Sequence, residues 1–223
     1  MTGKLFVSAI VKLLAGVVLV GVALFLPAGT LAYVNGWLLM GVLFVPMFLA
    51  GIVMMCKDPA LLSRRLDAKE KLREQGVIVK LSGLMFLSGF VLAGLGERFA
   101  WYTLPKAVSY VFTGVFLFAY LLYAEVLREN TYLSRTITVA EGQTVVDTGL
   151  YGIVRHPMYS ATLLLFLSMP LILGSVYAFV IFLAYPFLIA RRIQSEEAFL
   201  TRELAGYAEY KKKVKYRMIP FVY

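Results

Sequence analysis

Four stretches of the chain, about 5–26, 32–55, 77–95 and 107–126, are apolar almost without interruption. Each reaches the ~20 residues an α-helix needs to cross a hydrocarbon core. Only helices and closed barrels satisfy all their own backbone hydrogen bonds in lipid, and continuous rather than alternating apolarity selects helices. Composition agrees: 61% of residues are hydrophobic and 16% charged, against about 25% charged in a soluble domain. The gaps between runs are too short for a separate soluble domain. The expectation is an all-α, polytopic membrane helix bundle.

The formal net charge of +9 would suggest a nucleic-acid partner in a soluble protein. Here the cations flank apolar runs, where they set topology and meet anionic headgroups, so membrane lipids are expected as partners and nucleic acid is not. Lys and Arg number six in 57–76, three in 127–158 and eight from 191 onward, against none in 27–31 and two in 96–106. That asymmetry predicts a multi-pass protein with both termini cytoplasmic. The run Leu5–Leu26 is longer than the ~7–15 apolar residues of a signal core and reads as a retained span. Lys12 inside it either snorkels to the nearer surface or faces a polar interior. The lone Cys56 excludes an internal disulfide and is expected to pack at a helix end; no metal site is expected, since one His without a Cys partner does not make one.

Between the second and third spans, Asp58-Pro59 is a helix-start signal. Leu61, Leu62, Leu66 and Leu72 recur at helical spacing among Lys and Arg, which predicts an interfacial amphipathic helix near 58–76, ended by Gly76; a solvated connector is the alternative. Residues 1–126 thus read as a transmembrane scaffold and 127–223 as a C-terminal region that carries the chemistry. Its first part, through Thr148, reads as an irregular connector.

The C-terminal region holds one more apolar run, Ser160–Ala190, bracketed by Gly149-Leu150-Tyr151-Gly152-Ile153-Val154-Arg155-His156-Pro157-Met158-Tyr159 and by Arg191-Arg192-Ile193-Gln194-Ser195-Glu196-Glu197. Pro170 and Gly174-Ser175 interrupt it near the middle. Each arm is about 15 residues, or ~22 Å, short of a ~30 Å core. A re-entrant or shallow helical hairpin fits, giving four full spans plus a C-terminal hairpin, five to six membrane segments in all; a single tilted span is the alternative. A hairpin brings Arg155, His156 and Tyr159 beside Glu196 and Glu197 on one side of the bilayer. Arg and His bind carboxylates, and Glu accepts from ribose hydroxyls, an ammonium or an adenine amine. Gly149 and Gly152 let backbone approach a ligand closely. The plainer reading is an Arg155–Glu197 salt bridge that pins the hairpin.

The Arg-His-Pro-x-Tyr stretch 155–159, the ~30 apolar residues, Glu196-Glu197, then Tyr207, Tyr210 and Arg217-Met218-Ile219-Pro220 resemble the isoprenylcysteine carboxyl methyltransferase and phospholipid methyltransferase superfamily, over roughly Glu129 to Pro220. The resemblance implies S-adenosylmethionine as methyl donor and a hydrophobic or lipid-linked acceptor from the bilayer. Carried over by motif, Gly149, Tyr151, Gly152, Arg155, His156, Pro157, Tyr159, Glu196 and Glu197 form the cofactor site. For an amine acceptor Glu196 or Glu197 could take the proton, and Arg155 and Arg192 are candidates to orient an anionic acceptor. Ala161 stands where the family often has Gly. Two other classes are open: a membrane reductase of the sterol-reductase type using NADPH, which usually has Asn and Tyr after the His where this chain has Pro157-Met158, and a non-catalytic membrane partner protein.

Overall fold

A computed structural model describes residues 2–67, 73–134 and 136–223. The described residues form nine α-helices, one 3-10 turn and no strand beyond an isolated Thr103–Ser175 bridge. The predicted spans appear as α1 (Thr2–Ala28), α2 (Val34–Lys57), α4 (Arg73–Arg98) and α5 (Lys106–Glu129). With the segment Val176–Glu203, these give five runs long and apolar enough to cross a membrane. Their outward faces carry Val18, Leu19, Phe48, Leu84, Phe118 and Leu121, all exposed. Such a surface suits hydrocarbon as solvent and nothing else.

The helix α3 (Pro59–Leu66) begins where predicted: the Asp58 carboxylate accepts from Leu61 N at 2.9 Å and Pro59 occupies the first turn. It buries Leu61 and Leu62. It ends at Leu66, and the remainder of the predicted amphipathic segment, including Leu72, lies outside the described residues. Gly76 does not terminate it; that glycine is already inside α4. Lys12 Nζ reaches the carbonyl of Leu66 at 2.5 Å, so the charge is drawn to this end of the bundle and compensates the C-terminal dipole of α3. Cys56 is exposed rather than packed.

The last apolar run doubles back. It comprises α6 (Pro157–Ile172), a turn at Leu173–Ser175, α7 (Val176–Phe182) and α8 (Tyr185–Glu203). Pro157 starts α6, and Pro186 sits in the first turn of α8, where proline is tolerated. The hairpin is deeper than its arm length suggested. Its tip meets the α4–α5 turn, with Leu104 N donating to Gly174 O at 2.9 Å, and Tyr33 Oη donating to Leu173 O at 2.8 Å from the start of α2. The other end of α6 is level with the C-terminal third of α5, since Arg65 touches both Tyr123 and Met158. A 16-residue helix spans only ~24 Å, so the residues before Pro157 stay recessed below the end of α5.

An aromatic wedge sets the arms apart. Phe86 of α4 packs edge-on against Phe166 of α6 at 4.8 Å and Phe182 of α7 at 5.3 Å, and Phe166 meets Tyr185 of α8 at 4.8 Å. Such pairs contribute ~0.5–1.5 kcal/mol each beyond area burial. They fix the separation at which the polar ends of α6 and α8 face each other.

Candidate functional site

The recessed approach to α6 is built from the C-terminus of α5. Glu129 Oε2 accepts from Leu150 N at 2.9 Å and caps the 3-10 turn Gly149–Gly152. Gly149 is at φ +51°, and a Cβ there would lie 1.5 Å from Glu129 Oε1. The space that a side chain would need is filled by that carboxylate. Tyr151 follows, buried, its hydroxyl accepting from Asn130 Nδ2 at 3.1 Å. The chain then runs extended beside the C-terminal tail: Arg155 N donates to Tyr216 O at 3.0 Å and His156 N to Arg217 O at 2.8 Å.

Glu196 and Glu197 are adjacent in sequence but about 100° apart around α8, and they serve different surroundings. Glu197 is 2% exposed. It accepts from Arg155 Nε at 2.6 Å, pairs with His156 Nε2 at 3.2 Å, and receives Arg217 Nε at 3.2 Å on its second oxygen. Arg155 NH1 also donates to Val214 O and Lys215 O, at 2.7 and 2.8 Å. The salt bridge that pins the hairpin is therefore present, and it ties in the tail as well. Glu196 faces the other way. Its Oε2 accepts from Tyr159 Oη at 2.5 Å, and that hydroxyl accepts from Arg192 Nε at 2.9 Å. The His156 ring stacks on Tyr159 with centroids 5.6 Å apart.

A narrow pocket with a cavity volume of about 100 Å³, partly open to solvent, runs beside Tyr159 and Glu196. One wall is a stripe of α8 at four-residue intervals, Arg192, Glu196, Leu200 and Leu204, some 18 Å long. The facing wall is the irregular connector, represented by Leu133, Thr136 and Val145; Tyr207 and Tyr210 of α9 (Tyr207–Lys213) close the tail-ward end. Burial pushes the Tyr151, Tyr207 and Tyr210 phenols up, so all three remain protonated donors at neutral pH. Tyr210 Oη donates to Tyr151 O at 2.7 Å; Tyr207 Oη is buried without a hydrogen-bond partner.

Of the residues singled out in the sequence, Tyr151, Arg155, His156, Tyr159, Arg192 and Glu196 line this pocket. Gly149, Gly152, Pro157 and Glu197 are outside its lining. Gly152 packs against Asp147 O, at 3.2 Å from where a Cβ would be, and Pro157 serves as the first residue of α6. Arg155, expected to orient a substrate, has Nε and NH1 occupied by Glu197 and two tail carbonyls. Sequence reasoning missed the connector wall and its brace: Arg64 NH2 donates to Thr131 O at 2.6 Å, and Arg65 NH1 to Ser134 O at 3.2 Å. Leu200 and Leu204 were missed as well, although their four-residue spacing from Arg192 and Glu196 is the signal that could have found them.

Comparison with known proteins now bears on this geometry. Residues 110–202 match the isoprenylcysteine carboxyl methyltransferase (ICMT) family. That match runs from α5 through the hairpin and includes both motif clusters, and it bears out the resemblance read from the sequence. A second comparison shows similarity to the Delta(14)-sterol reductase TM7SF2 of Mus musculus, 34% identical over 91 residues, 40% of this chain. The aligned part spans only about a fifth of that relative, 22% of its length.

Proposed function

We propose that the pocket binds S-adenosylmethionine and that the protein transfers its methyl group to a lipid-borne or otherwise hydrophobic acceptor, on the cytoplasmic side of the membrane. The observation that carries this reading is the convergence of Arg155, His156 and Tyr159 with Glu196 on one pocket, in a segment that matches the ICMT family. The donor set fits such a group: a carboxylate (Glu196), a cation (Arg192), aromatic faces and an unpartnered phenol offer partners for an ammonium, a carboxylate and a ribose-bearing base. When bound, the donor supplies a methyl already activated on a sulfonium.

The chain's own residues then have three tasks. Glu197, Arg155, His156 and Arg217 hold α6, α8 and the tail in one geometry, which keeps reacting atoms aligned. Arg192, tied to Tyr159, presents its charge at the membrane-ward end, where it orients an anionic acceptor; a carboxylate acceptor then needs no base. For an amine acceptor, Glu196 takes the proton. The connector walls one side of the pocket and limits its contact with bulk water, which favours a step that neutralises charge. In this division of labour residues 1–126 supply the scaffold and the lateral approach for the acceptor, while 127–223 carry the site.

The second reading is an NADPH-dependent reductase, favoured by the sterol-reductase relative. Isothermal titration of the purified protein in detergent separates the two. Binding of S-adenosylmethionine without NADPH is the expected result, and binding of NADPH alone would replace this reading with the other. Incubating lipid extracts with methyl-labelled donor then identifies the acceptor from the labelled product.

A further inference from the structure

Five tyrosines surround the pocket: Tyr132, Tyr151, Tyr159, Tyr207 and Tyr210. Four have their hydroxyls engaged within the chain, by the carbonyl of Gly142, by Asn130, by Arg192 and Glu196, and by the carbonyl of Tyr151. Tyr207 differs. It is 4% exposed, and its Oη is buried with no hydrogen-bond partner. A phenol withdrawn from water without a partner is costly, and native chains rarely leave one.

The place of this hydroxyl gives it meaning. Gly206, at φ +84°, reverses the chain after α8 and sets Tyr207 at the start of α9, where its N–H donates to Leu204 O at 3.2 Å. The ring lies in a small apolar cluster that joins Leu204, Tyr207, Tyr210 and Val214 to Val139, Val145 and Leu200. This end of the pocket therefore combines flat apolar walls with one unanswered polar atom. Arg192 and Glu196 precede Leu200 and Leu204 along the chain by one to three helical turns, so they stand toward the membrane-ward part of the lining. A lipid acceptor reaches only that end, so the reacting part of the donor belongs there and its unreactive part at the tyrosine end.

We propose that Tyr207 is a cofactor-binding residue, its phenol hydrogen-bonding the nucleoside portion of the donor while Leu204 and Val145 pack on the base. This rests on the reading of the pocket as a donor site. It assigns the tail, not only the two motif clusters, to recognition.

The test is Tyr207→Phe, with Tyr210→Phe beside it, titrated calorimetrically with S-adenosylmethionine and with adenosine, each protein also melted without ligand. Loss of one hydrogen bond should weaken both ligands by about three- to tenfold in Tyr207→Phe. Its ligand-free melting point should stay level or rise, because the removed hydroxyl had no partner in the chain. Tyr210→Phe should melt lower, having lost its bond to Tyr151. Equal affinity of wild type and Tyr207→Phe would overturn the proposal. So would a loss confined to S-adenosylmethionine with adenosine unaffected, since the phenol would then serve the other end. Wild-type protein that binds neither ligand would overturn the underlying reading of the pocket instead.

Discussion

Replacing each of the two adjacent glutamates by glutamine should separate architecture from ligand recognition. In Glu197→Gln the amide oxygen can stay in place for Arg155 Nε and His156 Nε2, but the NH2 then turns a donor toward Arg217 Nε, which sits 3.2 Å from the second carboxylate oxygen. Arg155 is 8% and His156 6% exposed, so the cation is stranded where water cannot compensate it. Removing one partner of a buried pair costs roughly 3–5 kcal/mol. The retained acceptor and the two tail carbonyls on Arg155 favour the lower figure. At ~2–4 °C per kcal/mol for a chain of this size, the melting point should fall by roughly 6–12 °C. In Glu196→Gln the amide oxygen still accepts from Tyr159, so the melting point should move by less than about 3 °C. Donor affinity should nevertheless fall about tenfold or more, because a charge-assisted contact is lost. Thermal unfolding followed by intrinsic fluorescence in one detergent, with calorimetric titration of the same preparations, reads both quantities. A reversed order, with Glu196→Gln the less stable protein and Glu197→Gln unaffected, would refute the assignment of the two carboxylates to opposite faces of α8.

Gly94→Ala should destabilise the bundle by ~1–3 kcal/mol, because the new Cβ would lie 2.4 Å from the Leu24 carbonyl oxygen where α1 crosses α4; Gly83→Ala, with nothing within 4 Å, is the control that should melt like wild type. Tyr33→Phe should lower stability by about 0.5–1.5 kcal/mol through the lost bond to Leu173 O, with donor affinity unchanged, as read by melting and titration. Lys213 holds the Asp147 carboxyl below its ordinary value through a 2.6 Å hydrogen bond. The pair's contribution is therefore present above the ordinary carboxylate range near pH ~4 and is lost as pH falls below it. Melting curves from pH 6 to pH 3 should show wild type losing a small advantage over Asp147→Asn across that acid limb.

The spans were legible because lipid imposes a length and a composition that survive any packing detail. The hairpin was legible too, since Gly174-Ser175 breaks the apolar run near its middle. Its depth was not, because depth depends on Tyr33, Leu104 and Gly174 meeting across 140 and 70 residues of chain, contacts no local pattern announces. Glu196 and Glu197 were read together as cofactor ligands; adjacent residues stand about 100° apart on a helix, and which of them faces the pocket depends on where the tail lies. Gly149 was read as close approach to a ligand, whereas a distant carboxylate, Glu129, occupies the space. The connector wall escaped altogether: it has no periodicity, and it is held by Arg64 and Arg65 from a helix seventy residues earlier.

The strand-like tail has a consequence for how the protein is made. Residues 214–218 hold Arg155, His156 and Ser160 through backbone and side-chain bonds, yet they leave the ribosome after every other part of the site. Vectorial synthesis can thus insert all the helices while the charged centre is still unfinished. A nascent chain arrested before Val214 would be a membrane-inserted bundle whose Arg155 lacks two of its acceptors. Maturation of the site is in this sense a post-insertion event, triggered by the arrival of a few polar residues at the surface rather than by any rearrangement within the bilayer.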